Sequence, residues 1–349
     1  MQGTTVGWDI GGAHVKAAEI NGADEILTLI QQRCPLWKGI ARLHDAVHIV
    51  NNALSGSVRR HVITMTGELV DLFDNRADGV KQIIDAMTAL LARQEVLIYA
   101  GKSGFLRPGL IEQRHFQDIA SANWLASATL AAKKTANGLL VDIGSTTTDL
   151  LVISNGCVLT EGYSDYQRLQ SQELVYTGIV RTPVMAVAQT VLDEGRETGL
   201  MAEYFATMAD VYRVTGDLNE RHDQTDTADG AEKTLRASAR RLSRMIGCDI
   251  ETDDNARWLR FAAQIKKLQL QQIQRSCVKL ITQHDLADNC PLIGAGIGRF
   301  LVKQLAVNLG RAYVDFCEFS PTLVVPNEFS AADCAPAVAV ACLKYLGSE

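Results

Sequence analysis

The sequence predicts an α/β protein of two lobes, with an internally duplicated hairpin and a helical insertion in the second lobe. Residues 139–153 consist of an apolar run, a polar turn and a second apolar run, which is the pattern of a β-hairpin. Residues 6–20 repeat this pattern without gaps, 133 positions earlier. Strand-like and helix-like segments alternate around both hairpins, as in α/β proteins. Because the repeat distance is close to one domain length, it indicates two lobes of similar design.

The turn of each predicted hairpin carries residue types that bind phosphate and metal ions. A carboxylate stands at the end of the first strand of each hairpin, Asp9 in one and Asp142 in the other. Backbone N–H groups and hydroxyls at such a turn surround phosphate oxygens, while the carboxylate holds Mg²⁺ through water. We therefore predict that both aspartates are catalytic and hold Mg²⁺. The predicted phosphate-binding residues are Gly11, Gly12 and Lys16 in the first hairpin and Gly144, Ser145, Thr146, Thr147 and Asp149 in the second.

Both hairpins are followed by an Asn-Gly pair, Asn21-Gly22 in the first copy and Asn155-Gly156 in the second. Such a pair predicts a two-residue turn into a further strand. The shared pattern strengthens the case for duplication. The alternative interpretation is that two unrelated Asp-Gly turns occur in one α/β protein.

Composition excludes several classes of protein. The chain has 349 residues, of which 47% are hydrophobic and 21% charged, as in ordinary globular enzymes. Its net charge of −6 argues against nucleic acid and anionic membranes as partners. No apolar run reaches the roughly 18 residues of a membrane span. The eight cysteines are scattered without a Cys-x-x-Cys pair, so neither a disulfide framework nor a zinc site is expected. We expect a cytoplasmic chain.

The first lobe is predicted over residues 1–136. A helix over 36–54 precedes a strand over 62–66, and Glu68 follows at the strand end, where it serves either as a ligand contact or as part of a helix cap. A later strand leads into Gly101-Lys102-Ser103. This stretch lacks the first glycine of a P-loop, which excludes that motif. Lys102 remains a candidate anion contact, with a surface loop as the alternative.

The second lobe is predicted over residues 137–349, with a helical insertion at about 190–286. Arg181 follows the second hairpin in a polar, turn-rich segment, either as an anion contact or as a solvated loop residue. Near the end of the lobe, a strand, a Gly-x-Gly-x-Gly loop and a helix follow one another. Such a loop lets backbone lie flat against a ligand at a helix N-terminus. The predicted nucleotide-type loop comprises Gly294, Gly296 and Gly298.

Asp210 is the candidate general base. It stands in a segment rich in aromatic residues, 204–212, within the predicted insertion. A carboxylate beside an aromatic stripe accepts a substrate proton if burial raises its pKa. The alternative is that the stripe is only the core of the insertion.

These motifs together resemble those of a known superfamily. The two Asp-Gly hairpins and the 294–298 loop are similar to the two phosphate motifs and the adenosine motif of the sugar-kinase/Hsp70/actin superfamily. The second hairpin most resembles the hydantoinase/oxoprolinase branch. More specifically, several stretches resemble a synthase family of methanofuran biosynthesis, namely residues 64–69, 99–103, 122–124, 176–178, 202–212 and 227–230.

The resemblance implies an actin-like (ribonuclease H-like) duplicated fold and a specific reaction. In that reaction, an aminomethylfuran-methyl diphosphate condenses with the phenol of γ-glutamyltyramine, which forms an aryl ether and releases pyrophosphate. The product belongs to a methanofuran-type cofactor of one-carbon metabolism, linked to tetrahydromethanopterin in methylotrophs. The implied partners are these small molecules, and a homo-oligomer is left open. Mg²⁺ is the expected cofactor, whereas ATP is compatible with the motifs but not required by the reaction.

Two alternatives remain open. One is an ATP-dependent kinase or an amide hydrolase of the hydantoinase type. The other is a nucleotide-gated, actin-like scaffold without turnover, which the large insertion disfavours because filaments need repeated self-complementary surfaces.

Overall fold

The structure, a computed structural model, describes residues 3–251 and 254–346. The strands are β1 (Thr4–Ile10), β2 (His14–Ile20), β3 (Glu25–Arg33), β4 (Val58–Met65), β5 (Glu95–Tyr99), β6 (Phe105–Leu106), β7 (Gly138–Ile143), β8 (Thr148–Ser154), β9 (Cys157–Leu159), β10 (Leu174–Val175), β11 (Thr190–Asp193), β12 (Arg196–Gly199), β13 (Leu292–Ala295), β14 (Tyr313–Asp315) and β15 (Thr322–Leu323). The helices are α1 (Ala41–Ala53), α2 (Arg76–Leu90), α3 (Phe116–Ile119), α4 (Asn123–Ala132), α5 (Asp165–Ser171), α6 (Met208–Thr215), α7 (Leu235–Arg244), α8 (Asn255–Gln283), α9 (Arg299–Asn308) and α10 (Ala335–Leu346).

The chain forms two compact units, and each is assembled from separate stretches. The first unit contains residues 3–140, 151–171 and 314–346, and the second contains 141–150 and 172–313. The sequence predicts two continuous lobes with a boundary after residue 136. In the structure, the later segments 151–171 and 314–346 also belong to the first unit. The last of these ends in α10, which packs against β1, β2 and α4. Gly7 permits this packing, because a Cβ on it would lie 1.9 Å from the carbonyl oxygen of Ala337.

The sheet of the first unit has β1 at its centre. Its strand order is β15-β3-β2-β1-β4-β5-β6. β1 pairs antiparallel with β2 and parallel with β4, and β4 pairs parallel with β5. Every residue of β1 is buried, which is typical of a strand with helices on both faces. The carboxyl ends of β1 and β4 therefore lie side by side at one edge of the sheet.

The second sheet repeats the central part of this order. Its strands run β10-β8-β7-β13-β14, so β7 lies between β8 and β13 as β1 lies between β2 and β4. In both cases the first neighbour is the next strand in the chain, and the second neighbour follows after intervening helices. The predicted duplicated α/β architecture is thus confirmed in the strand order.

The two Asn-Gly pairs behave differently. Asn155 and Gly156 have φ angles of 51° and 71° and connect β8 directly to β9, as a two-residue type I′ turn requires. The first pair instead begins a loop of four residues, 21–24, in which Asp24 has φ 58°. The side-chain oxygen of Asn21 accepts hydrogen bonds from the backbone N–H groups of Ala23 and Glu25. The two-residue turn is therefore confirmed in the second copy and wrong in the first.

The predicted insertion is mostly helical, as expected. α6, α7 and α8 pack against one another. The segment begins, however, with the antiparallel pair of β11 and β12, which the predicted helical pattern does not include. None of the helices in the described part of the chain is both long and apolar enough to cross a bilayer.

Candidate functional site

The turns of the two hairpins have the same backbone geometry. The amide of Gly11 donates to the carbonyl of His14, and the amide of Gly144 donates to the carbonyl of Thr147, both at 2.9 Å. These residue pairs occupy equivalent places in the two sequence copies. Each turn closes in this way immediately after a strand that carries a predicted catalytic aspartate. The internal repeat therefore extends to individual hydrogen bonds.

Asp9 lies near the carboxyl end of β1 and is largely buried. Asn123 is the first residue of α4, and its Nδ2 donates a hydrogen bond to Asp9 Oδ1 at 3.4 Å. Lys16 is directly opposite Asp9 in the antiparallel register of β1 and β2. Its ammonium donates to the backbone carbonyl of Asp333 at 2.7 Å. The structure brings Lys16 close to Asp9, and its contact with phosphate stays a prediction.

In the second unit, the segment 177–182 packs on the turn of the second hairpin. The amide of Ile179 donates to the Gly144 carbonyl at 3.0 Å, and the amide of Arg181 donates to the Ser145 carbonyl at 2.9 Å. Gly178 allows this close approach, since a Cβ on it would lie 2.5 Å from the amide nitrogen of Thr146. Segment and turn therefore form one packed structure.

Arg181 lies beside the hydroxyls of this turn. Its Nη1 donates to Thr146 Oγ1 at 3.3 Å. Ser145 Oγ is buried and has no hydrogen-bond partner among the described residues. Anionic oxygens accept hydrogen bonds from guanidinium and hydroxyl groups. This turn and Arg181 provide one guanidinium and two hydroxyls, one of which has no partner among the described residues. Arg181 and the turn, both predicted to bind an anion, are therefore neighbours in the structure. Their contact with an anion stays a prediction.

The glycine-rich loop lies against the end of β7. The amide of Gly298 donates to the Ile143 carbonyl at 2.9 Å. Gly296 has φ 75°, and a Cβ on it would lie 2.4 Å from Asp142 Oδ1. A Cβ on Gly294 would lie 2.6 Å from the Tyr313 ring. These glycines are therefore required by packing within the protein, and their contact with a nucleotide stays a prediction.

Lys102 and Asp149 are the remaining two predicted anion contacts. Lys102 is exposed in the turn 101–103, and its ammonium lies 5.6 Å from the centroid of the Tyr163 ring. Asp149 lies in β8, opposite Leu174 of β10. Their contact with phosphate also stays a prediction.

Asp210 is buried and bound by several side chains of the insertion, and its role as a base stays a prediction. Its Oδ2 accepts from the backbone amide of Thr207 in a capping box at the start of α6. Its Oδ1 accepts from Ser238 Oγ and from Arg241 Nε, both at 2.8 Å, with Arg213 Nη1 at 3.6 Å. Both carboxylate oxygens are therefore engaged in hydrogen bonds or ion pairs within the insertion. Arg213 is three residues later on the same helix, whereas Ser238 and Arg241 belong to α7, about thirty positions later, which no local pattern indicates.

Glu68, which the sequence leaves open between a ligand contact and a helix cap, lies in a buried polar pair with Ser121. Glu68 follows β4, is 1% exposed and accepts a hydrogen bond at 2.7 Å from Ser121 Oγ. Burial raises the pKa of its carboxyl group, and the hydrogen bond from Ser121 and the charge of Arg76 oppose that rise. The acidic residue directly after a parallel strand was the available signal.

Across residues 3–251 and 254–346, no three His, Cys, Asp or Glu side chains come together as a group that could hold a metal ion. Mg²⁺ does not require such a cage, since it retains waters and binds one or two carboxylates together with substrate phosphates.

Comparisons with known proteins agree with this architecture. The hydantoinase/oxoprolinase family matches residues 59–342. The (4-{4-[2-(gamma-L-glutamylamino)ethyl]phenoxymethyl}furan-2-yl)methanamine synthase of Methanocaldococcus jannaschii is 31% identical over 86% of this chain and 87% of its own length. The Methanococcus vannielii synthase of the same name is 27% identical over 50% of this chain and 78% of its own.

A nucleotide-free structure of acetone carboxylase superposes with a TM-score of 0.58 at 11% identity, over 98% of this chain and 70% of that one. At this identity the match shows the fold alone, and it confirms the predicted actin-like α/β class. The family match over residues 59–342 and the match to the M. jannaschii synthase over 86% of the chain show more than the fold. The chain belongs to the hydantoinase/oxoprolinase family, in the same group as the M. jannaschii synthase.

Proposed function

We propose that this protein is a transferase that forms the aryl ether of a methanofuran-type one-carbon carrier. It joins an aminomethylfuran-methyl diphosphate to the phenol of γ-glutamyltyramine and releases pyrophosphate. The observation that carries this proposal is the 31% identity to the M. jannaschii synthase over 86% of the chain. The name of that synthase describes a product in which a phenoxymethyl group joins a benzene ring to a furan.

The reaction balances without a further co-reactant. The phenol oxygen attacks the furanylmethyl carbon, the bond from that carbon to the diphosphate oxygen breaks, and both electrons leave with pyrophosphate. The phenol proton passes to a base or to solvent. A transition state of this kind places growing negative charge on the leaving group, so fixed donors around the diphosphate accelerate it. ATP has no role in this balance.

The turn of the second hairpin has the donors that this charge requires. Arg181 supplies a guanidinium at 3.3 Å from the Thr146 hydroxyl, and Ser145 supplies a buried hydroxyl without a partner among the described residues. A diphosphate in this place would complete the hydrogen bonding of Ser145. This is the best support in the structure for a phosphate-bearing substrate.

Mg²⁺ fits the residues of both hairpin turns. Asp9 in the first unit and Asp142 in the second each provide a carboxylate, the ligand type that Mg²⁺ prefers, and each would bind the ion with diphosphate oxygens and water. The bound ion would supply positive charge against the leaving pyrophosphate. Asn123, through its contact with Asp9 Oδ1, keeps one orientation of that carboxylate. We place the reaction in the cytoplasm.

A direct assay tests the proposal. Purified protein is incubated with the furan diphosphate and γ-glutamyltyramine, and mass spectrometry follows the ether while a coupled assay follows pyrophosphate. We expect one pyrophosphate for each ether, with the same rate when ATP is absent. Omission of Mg²⁺ should abolish the rate. Ether formation that strictly requires ATP, or ATP hydrolysis without ether formation, would support the kinase or hydrolase alternative instead.

A further inference from the structure

The buried carboxyl group of Glu68 lies next to the turn of the first hairpin. It directly follows Gly67, whose Cβ, if present, would lie 3.1 Å from the Ile10 carbonyl and 3.3 Å from the carbonyl carbon of Gly11. The Thr66 amide donates to the Ile10 carbonyl at 2.9 Å. The end of β4 is thus held against the strand end that carries Asp9.

Glu68 is a costly residue at this place. Its Oε1 accepts from Ser121 Oγ at 2.7 Å, but Oε2 is buried and has no hydrogen-bond partner in the described part of the chain. A buried carboxyl oxygen without a partner destabilises a fold, whereas an apolar side chain of similar size would not. Stability alone therefore does not explain a glutamate here.

Ser121, the partner of Glu68, has an unusual backbone. Its φ is 50°, in the left-handed region that residues other than glycine and asparagine rarely adopt. Such a conformation persists only where surrounding contacts impose it, and it occurs often at functional sites. The hydroxyl bond to Glu68 is a contact of this kind. It fixes the short link between α3 and α4.

The same link carries the contact to Asp9. Two residues after Ser121, Asn123 begins α4, with its Nδ2 3.4 Å from Asp9 Oδ1. Its own Oδ1 accepts from the Trp124 amide at 2.7 Å, which fixes the direction of the amide group. A change in the backbone at Ser121 would therefore move a side chain that donates a hydrogen bond to Asp9.

We propose that Glu68 is a positioning residue of the first hairpin: through Ser121 it fixes the segment 120–123, so that Asn123 orients the Asp9 carboxylate. The catalytic consequence rests on the proposed function, because it assumes that Asp9 takes part in the reaction. The geometric consequence does not, because it concerns only how Asn123 meets Asp9.

Three variants test this chain of contacts. Glu68→Leu removes the acceptor for Ser121, Ser121→Ala removes the donor, and Glu68→Gln keeps an acceptor oxygen at the same place. The matched control is Glu19→Gln, because Glu19 is also fully buried in this unit and accepts from Thr4 Oγ1 at 2.7 Å, away from Asn123. Urea unfolding first establishes that each variant is folded.

The first measurement does not depend on activity. In ¹⁵N-labelled protein, the side-chain amide signals of Asn123, assigned with Asn123→Ala, should shift in Glu68→Leu and Ser121→Ala. They should stay near the wild-type position in Glu68→Gln and in the control. Unchanged signals in a folded Glu68→Leu protein would overturn the proposal, whatever reaction the enzyme performs.

The second measurement is kinetic. Loss of a residue that orients a metal-binding group typically reduces activity or metal affinity by roughly 10- to 100-fold. We expect a decrease of this size in kcat, with a higher Mg²⁺ requirement and little change in KM for γ-glutamyltyramine, in Glu68→Leu and Ser121→Ala. Glu68→Gln should restore most of the rate. If Glu68→Gln loses as much activity as Glu68→Leu, the carboxyl group acts by proton transfer and the positioning role is wrong.

Discussion

Gly11 and Gly144 form the same hydrogen bond in two hairpins of one chain: each amide donates to the carbonyl three residues later, at 2.9 Å. Each glycine comes two residues after an aspartate at the end of a buried strand. The equivalence makes Asp9 and Asp142 comparable positions. It also provides a physical basis for testing them as a pair.

Asp9→Asn and Asp142→Asn should each reduce kcat by roughly 100-fold or more, since each would remove a carboxylate charge that would hold Mg²⁺ against the leaving group. Both variants keep the size and much of the hydrogen bonding of the side chain, so the unfolding transition should change little. Steady-state kinetics over a range of Mg²⁺ concentrations is the measurement. Asp45→Asn is the control, because Asp45 is on α1 with 64% of its side chain exposed. Near wild-type turnover in either variant would remove that aspartate from the site.

Arg181→Ala should raise KM for the furan diphosphate by roughly 10- to 100-fold, the size expected for lost hydrogen bonds from a charged group. Arg181→Lys should recover only part of this, because lysine keeps the charge but not the planar fork of donors. KM for γ-glutamyltyramine should remain the same. The control is Arg42→Ala on the surface of α1. Equal effects on both KM values would indicate general damage to the second unit.

Gly296→Ala should destabilise the protein and abolish activity, because its Cβ would lie 2.3 Å from the Ile143 carbonyl and 2.4 Å from Asp142 Oδ1. Gly216→Ala separates this clash from backbone strain. Gly216 has φ 77°, close to the 75° of Gly296, but no atom lies within 4 Å of its Cβ position. The control should lose about 1 kcal/mol from the left-handed conformation alone. Urea unfolding and turnover measure both effects, and equal losses in the two variants would contradict a role for the clash.

His61 should make the protein less stable in acid. Burial lowers the pKa of its imidazole from 6.5 to about 4, although the hydrogen bond that the ring donates to Gln94 raises it. The neutral ring accepts from Trp8 Nε1 at its Nδ1, at 3.0 Å. Because the unfolded chain binds the proton more strongly, stability is fully present above pH 6.5 and is lost as pH falls towards 4. The loss is on the order of 3 kcal/mol.

His61→Asn tests this prediction, since the asparagine oxygen can replace Nδ1 as the acceptor for Trp8 but does not titrate. The free energy of unfolding is measured in urea at pH 7.5 and pH 4.5 for the wild type, for His61→Asn and for His44→Asn, an exposed control. The wild type and the control should lose more stability in acid than His61→Asn does. Identical losses in all three proteins would mean that His61 is protonated in the folded state.

Local sequence determined the hairpins. The turn at 144–147 and the type I′ turn at Asn155-Gly156 depend on backbone conformations that neighbouring residues favour, so a few adjacent letters predict them. The same holds for the strands on either side, whose apolar runs match the buried patterns of β7 and β8. Because the pattern occurs twice, the duplication could be predicted from the sequence alone.

Only the tertiary structure decided which polar residues meet. The sequence predicts Asp210 as a candidate base but does not show that Arg241 and Ser238, about thirty positions later, bind its carboxylate. Lys16 contacts a carbonyl near the other end of the chain. Contacts of this kind depend on how distant segments return and pack, which no local pattern encodes. The apolar pattern and turn residues therefore determined where the two carboxylate-bearing turns form, while long-range packing decided which distant side chains contact them, such as Asn123 at Asp9.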